Sequence, residues 1–171
     1  RHGERQTMQV LMLAVLAGCW EKKVKNLSNT EFDHYYALRV YMEDEQRKSY
    51  LKMKTEEERN AYLKELGLWD RFYDYEPRIR ELIVAGEVQP GWTKDMLYMA
   101  WGSPYDRTRL VGRNAVRSEM LTYRFEVQED GAILLWEPGS KTAYKAIRLF
   151  VREVVIDDDN LVEIREKNAS W

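Results

Sequence analysis

The spacing of apolar residues changes at Pro104, and this change constrains the fold more than any other feature of the sequence. Before Pro104, apolar residues recur at intervals of three and four positions, as in residues 94–101, which is the period of an amphipathic helix. After it, apolar and polar residues alternate along 121–127, which is the period of a half-buried strand. Helices followed by antiparallel strands predict an α+β fold, with N-terminal helices packed on an antiparallel sheet of three or four strands.

Start and stop signals divide the helical half. Thr55 begins a capping-box pattern that predicts a helix over residues 56–66, and Gly67 can end that helix in the left-handed conformation. Thr93 is the expected N-cap of a second helix, which ends at Gly102.

Two further helices are expected in the same half. Thr30 is a candidate N-cap for a long, broadly amphipathic helix that extends to about Met53. Pro77 suits the first turn of another helix, which stops at Gly86.

Turn signals divide the second half into strands. Asp130-Gly131, Pro138-Gly139 and the acidic run from Asp157 to Asn160 are the expected turns. The strands expected around them span residues 121–127, 132–136, 143–156 and 161–164.

Residues 16–19, Leu-Ala-Gly-Cys, follow a short apolar run that starts at Val10, and Cys19 is the only cysteine. This stretch resembles the lipobox of bacterial lipoproteins, which implies cleavage before Cys19 and attachment of diacylglycerol to its thiol. The apolar run is too short to span a bilayer, which needs about 20 residues, and two acyl chains hold a protein where one is marginal. The alternative is that this stretch begins a buried helix and that Cys19 is an ordinary core residue.

The chain therefore divides into four expected parts. They are a signal peptide over 1–18, a lysine-rich tether over 19–29, a helical extension over 30–76 and an α+β domain over 77–171, the last two forming one folded unit.

The α+β domain carries a family resemblance. Gly-Glu-Val at 86–88, Gly-Trp-Thr-Lys at 91–94 and Gly-Ser-Pro at 102–104 resemble the SmpA/OmlA (BamE-like) lipoprotein family, over about residues 80–165. Trp92 stands where that family usually has Met, and the helical segment 30–75 has no counterpart in its small core.

The resemblance implies a lipid-anchored accessory protein of outer-membrane β-barrel assembly, which binds an envelope protein and needs no cofactor. Trp20, which follows the lipid-bearing cysteine, favours the periplasmic face of the outer membrane. Two alternatives remain. One is an envelope enzyme that uses carboxylates or Ser103, and the other is a secreted type of inhibitor or ligand-binding module on a similar fold.

Aromatic residues are the first candidates for partner binding, because they dominate interface hot spots. The alternative for each is that it packs in the core, since six Trp and eleven Tyr must also build the core beside only four Phe. Trp92 is expected to be either a hydrophobic staple at a helix start or an exposed anchor. The candidate set is Trp69, Tyr73, Trp92, Tyr98 and Tyr105.

A basic run lies between Pro104 and the first clear strand. Its side chains could contact anionic lipid headgroups, each cation contributing about 1 kcal/mol near such a surface, or they could belong to a solvated loop. The run consists of Arg107, Arg109, Arg113 and Arg117.

Residues typical of catalysis or metal binding are sparse. His34 is the only histidine after residue 18, and it is expected on a helix, at the surface or half-buried. The acidic run from Asp157 lacks the glycine spacing of an EF-hand, so a solvated turn is expected there. Glu56 to Glu58 suit a helix start. We expect no catalysis, no metal and, at a formal net charge of −2, no nucleic-acid partner.

Overall fold

The computed structural model describes residues 23–137 and 146–170. The fold is α+β, as the sequence predicted. The helices are α1 (Asn29–Leu38), α2 (Asp44–Lys52), α3 (Glu56–Glu65), α4 (Trp69–Tyr73), α5 (Pro77–Val84) and α6 (Lys94–Trp101), with a 3₁₀ turn at Arg39–Tyr41. The strands are β1 (Asp106–Leu110), β2 (Ser118–Val127), β3 (Ile133–Trp136), β4 (Arg148–Asp157) and β5 (Asn160–Asn168).

The predicted helix boundaries at Thr55 and Thr93 are confirmed. The Thr55 hydroxyl accepts a hydrogen bond from the Glu58 amide at 3.2 Å, and the Glu58 carboxylate accepts one from the Thr55 amide at 3.3 Å. Thr93 caps α6 in the same way, through the Met96 amide at 3.3 Å.

The prediction of one long helix over residues 30–53 is wrong. Ser28, not Thr30, caps α1, because only Ser28 has a glutamate three residues later, at Glu31, to complete a reciprocal capping box. The helix then ends in the 3₁₀ turn, and α2 begins afresh where the Gln46 side chain accepts from the Glu43 amide at 2.9 Å.

The sheet is antiparallel and centred on β2 and β4, which pair along all ten residues of each. On its other side β2 pairs with β1 through residues 118–122 and with β3 through residues 124–127. Strands β1 and β3 therefore lie end to end along one edge of the sheet, and β5 forms the opposite edge.

The sheet has five strands within the described residues, because the basic run contributes one. The expectation of a solvated loop there is wrong for residues 106–110, which form β1. The sequence gives no signal for β1, because the side chains of this strand are almost all exposed and show no alternation of apolar and polar residues. The predicted turn at Pro138-Gly139 lies outside the described residues.

The core lies between α6 and the sheet. The Trp101 ring packs edge-on against Tyr123 and Phe125, at centroid distances of 5.3 and 5.2 Å, and Phe125 stacks on Phe150 at 5.1 Å. The Trp101 indole donates to the Gly86 carbonyl at 3.0 Å, which ties α6 to the end of α5. Across the described ranges, no helix is both long and apolar enough to cross a membrane.

Candidate functional site

The candidate residues from the sequence fall into two separate places. The four arginines lie on β1 and on the loop of residues 111–117 that follows it, Tyr105 directly precedes β1, and Tyr98 of α6 contacts Arg107. Trp69 and Tyr73 lie on α4, around His34. Trp92 belongs to neither group.

Trp92 is a core residue, so the expectation of an exposed partner anchor is wrong. Its side chain is 5% exposed and belongs to the hydrophobic core. The backbone explains this position: the Leu161 amide donates to the Trp92 carbonyl, and the Gly91 amide donates to the Leu161 carbonyl, both at 2.8 Å. These bonds draw residues 91–92 against the start of β5 and turn the indole inward.

Arg107 joins β1 to the helical layer. Its guanidinium donates to the Tyr98 hydroxyl at 2.6 Å and lies 3.4 Å from the carboxylate of Glu119. Glu119 is buried and also pairs with Lys94 at the start of α6. Two cations therefore balance one buried carboxylate, and neither Tyr98 nor Arg107 is an isolated surface group.

The turn between β4 and β5 holds the 111–117 loop in place. Arg113 donates to both carboxylate oxygens of Asp157, from Nε to Oδ1 at 2.9 Å and from Nη2 to Oδ2 at 2.7 Å. The Asp158 carboxylate accepts from the backbone amides of Val116 and Arg117, at 3.3 and 2.9 Å. Hydrogen bonds from Arg113 and Ser118 lower the pKa of Asp157, so the Asp157 carboxylate is charged at neutral pH.

The acidic turn is a two-residue hairpin connection. Asp158 and Asp159 have φ of 47° and 65°, the left-handed pair that matches the twist of the flanking strands. Its carboxylates serve the loop, and the described part of the chain holds no group of three or more residues able to bind a metal ion.

The loop exposes apolar and cationic side chains together. Val111 is 85% exposed and Val116 is 96% exposed. Arg109 and Arg117 form no ion pair with any described residue, because Glu119, opposite Arg109, is taken by Lys94 and Arg107. We call Arg109, Val111, Val116 and Arg117 the loop patch. Val111 and Val116 are the most exposed of the large apolar side chains among the described residues.

Tyr105 lies at the opposite end of β1 from the loop patch. Its ring is 43% exposed, and the Arg124 guanidinium carbon lies 3.3 Å from the ring centroid. Arg124 therefore covers one face of the Tyr105 ring, and the rest of the side chain is partly exposed.

The second group surrounds His34, which the sequence placed at the surface or half-buried but which is only 1% exposed. The His34 Nε2 atom lies 2.5 Å from the Tyr73 hydroxyl, and the rings of Trp69 and Phe72 meet the imidazole edge-on, at 5.1 and 5.8 Å. Trp69 and Tyr73 stack on each other at 4.3 Å. These aromatic residues bury the histidine and serve the helical core.

A cleft of about 180 Å³ opens beside His34 and Tyr73, between α1, α4 and α5. Burial lowers the pKa of His34 to about 4, so the imidazole is neutral at physiological pH. Arg80 lies over the Tyr73 ring at 4.5 Å, and Asp33 lines the same cleft.

The catalytic alternatives from the sequence use residues that are engaged elsewhere or lie apart. His34 contacts Tyr73, whereas Ser103 is exposed after the end of α6. Glu58 accepts from the Lys54 and Thr55 amides at the start of α3. His34, Ser103 and Glu58 therefore make no hydrogen bond with one another.

Sequence reasoning named Arg109 and Arg117 of the loop patch, but it missed Val111, Val116 and the contacts of Asp157 and Asp158 that fix the loop. Two signals pointed to them: the isolated valines at 111 and 116 within a polar, arginine-rich segment, and the Asp158-Asp159 pair between two strand patterns. Cys19 lies outside the described residues.

Comparison of the chain with protein-family models, curated proteins and solved structures gives no match.

Proposed function

We propose that this chain is a lipid-anchored envelope protein that binds another protein and supports the assembly or stability of an outer-membrane or periplasmic complex, without catalysis. The observation that carries the binding role is the loop patch, where Val111, Val116 and Arg117 of a loop fixed by Asp157 and Asp158 are exposed together with Arg109 of β1. The lipobox-like residues 16–19 support the anchor.

We also propose that residues 80–165 belong with the SmpA/OmlA (BamE-like) proteins. The order of elements supports this: α6 follows a threonine cap, Gly102 ends it at a φ of 72°, and antiparallel strands follow. This order is the one that the resemblance implies for the segment.

Direct contact with anionic lipid has weaker support than protein binding. Arg107 and Arg113 pair with Glu119 and Asp157, which leaves Arg109 and Arg117 for a headgroup. At about 1 kcal/mol for each cation, two arginines add little to two acyl chains, whose methylenes contribute about 0.8 kcal/mol each. We therefore assign membrane attachment to Cys19 and partner binding to the loop patch.

The experiment for the anchor compares Cys19→Ser with the unaltered chain in membrane fractionation. The variant is expected in the soluble fraction, and intact mass of the unaltered chain is expected to start at Cys19 with added acyl mass. An unprocessed, unacylated protein that stays in the membrane fraction would rule out the anchor.

The experiment for the binding role places a photo-crosslinking residue at Val116 in cells. Position Glu45 on α2, which is also exposed, is the matched control. A discrete adduct is expected with the probe at position 116 and not with the probe at position 45. In a second experiment the probe replaces Val111, and Val116→Asp should then prevent formation of the adduct. Equal adducts from positions 116 and 45 would contradict a specific docking site.

A further inference from the structure

Strand β1 is an edge strand of the sheet formed by the described residues. Its five residues, Asp106–Leu110, pair with β2 in unbroken register, and no other described strand pairs with them. An edge strand presents main-chain N–H and C=O groups along its outer side, which another extended chain can complete.

The opposite edge, β5, is protected in ways that β1 is not. The β4–β5 register shifts at Val155/Ile156, which marks a bulge or irregularity. Ion pairs then cross the surface of β5, between Lys167 and Glu153 at 2.8 Å and between Arg148 and Glu166 at 2.9 Å. A bulge is a device that discourages edge pairing, and the β1–β2 register has none, although the Arg107–Glu119 pair also joins β1 to its neighbour.

Charge along β1 is uneven, which sets the chemistry of a partner. Asp106 lies at the end of the strand away from the loop, whereas Arg109 and the neighbouring Arg117 lie towards the loop without a described carboxylate. A partner strand that places carboxylates at the loop end would meet both arginines, and its apolar side chains could contact Val111 and Val116.

We propose that β1 binds an extended, acidic segment of the partner protein as an added β-strand, with the carboxylates of that segment at Arg109 and Arg117. This inference rests on the proposed protein-binding function and names the chemistry of the partner. The loop is already fixed by Arg113–Asp157 and by Asp158, so binding costs little ordering of this side of the interface.

The test uses the full chain and a capped synthetic peptide of about eight residues that alternates threonine with glutamate, a length that matches a strand. Hydrogen exchange measured by NMR reports each β1 amide. We expect the peptide to slow exchange of those β1 amides that face away from β2, by about tenfold at saturation, with no effect on β5.

Two controls separate strand addition from charge attraction. Arg109→Glu with Arg117→Glu should weaken peptide binding about tenfold or more, whereas Lys52→Glu with Arg78→Glu, at exposed positions on α2 and α5, should leave it within about twofold. A peptide with alternate N-methylated amides keeps its charge and loses one row of donors, so it should not protect β1.

Three outcomes would overturn the proposal. They are no binding at about 1 mM peptide, charge-dependent binding without protection of β1, and equal binding of the N-methylated peptide. None of them bears on cross-linking at Val116, so the binding role can survive the loss of this inference.

Discussion

At the scale of single residues, His34 couples the stability of the helical layer to pH. Burial lowers its pKa from 6.5 to about 4, while the nearby Glu31 carboxylate opposes this shift and Arg80 adds to it. The unfolded state binds a proton at a higher pH than the folded state does. The neutral imidazole therefore contributes its full stabilisation above pH 6.5, and that contribution declines as the pH falls towards 4.

We predict that the folded protein loses about 3 kcal/mol of unfolding free energy through His34 between pH 7.5 and pH 4. Urea unfolding at pH 7.5, 6 and 5 measures most of this change. His34→Phe keeps an aromatic ring in the site but does not titrate, so its unfolding free energy should depend less on pH over this range. Parallel pH profiles for the two proteins would contradict the assignment.

Trp92 is the second case at the scale of single residues, because the burial of its side chain determines how much stability its removal costs. Trp92→Ala is expected to destabilise the fold by about 3–5 kcal/mol, the cost of emptying a buried indole site. Thermal and urea unfolding measure this cost, and Val116→Ala, at a fully exposed apolar position, is the control. An unchanged unfolding midpoint for Trp92→Ala would contradict the burial of the Trp92 side chain.

At the scale of elements, the start of α3 depends on one reciprocal cap. Thr55→Ala leaves the Glu58 amide without its acceptor and is expected to cost about 1 kcal/mol. Thr55→Ser retains a hydroxyl and should restore most of that loss. Equal unfolding free energies for the alanine and serine variants would show that the cap does not stabilise α3.

The 111–117 loop is the second element whose behaviour can be predicted. Arg113→Gln removes the bidentate contact with Asp157, so hydrogen exchange at the Val116 and Arg117 amides should accelerate. Global stability should change little, because Arg113 is exposed, Asp157 is only half-buried, and ion pairs near the surface contribute little. Arg165→Gln breaks a similar exposed contact, with Glu163, and should leave the loop amides unaffected.

Unchanged exchange at Val116 and Arg117 in Arg113→Gln would mean that Asp158 alone fixes the loop. In that case Asp158→Asn, which tolerates the left-handed backbone but lacks the charge, should accelerate exchange at the same two amides.

At the scale of the whole molecule, the helical extension and the following α+β domain share one core. The Tyr36 hydroxyl on α1 donates to the Ala100 carbonyl on α6 at 2.5 Å, and both residues are buried. Leu38 of the extension and Leu97, Tyr123 and Phe150 of the domain belong to the same hydrophobic cluster. A shared core should unfold as one cooperative unit.

We therefore predict a single transition in urea, with coincident midpoints by far-UV circular dichroism and by tryptophan fluorescence. Removal of residues 30–76 should expose the buried face of α6 and abolish that transition. Two separate midpoints in the intact chain would instead divide the extension and the domain into independent units.

Local patterns in the sequence determined much of this protein. The α+β class, the cap at Thr55 and the helix from Thr93 to Gly102 all follow from short-range spacing, because caps, left-handed ends and residue periodicity act over a few positions. The lipobox-like residues 16–19 are equally local, and they support the proposed anchor without reference to the fold.

Other features depend on contacts between residues that are distant in sequence, and only the tertiary structure decided these. Strand β1 has no periodicity of its own and exists through its pairing with β2, and Trp92 is buried because Leu161, far along the chain, bonds its backbone. Arg113 and Arg117 look alike in sequence, yet Asp157 binds one guanidinium and leaves the other in solvent. Partners distant in sequence leave no local signature, so the pairing of Arg113 with Asp157 became visible only in the fold.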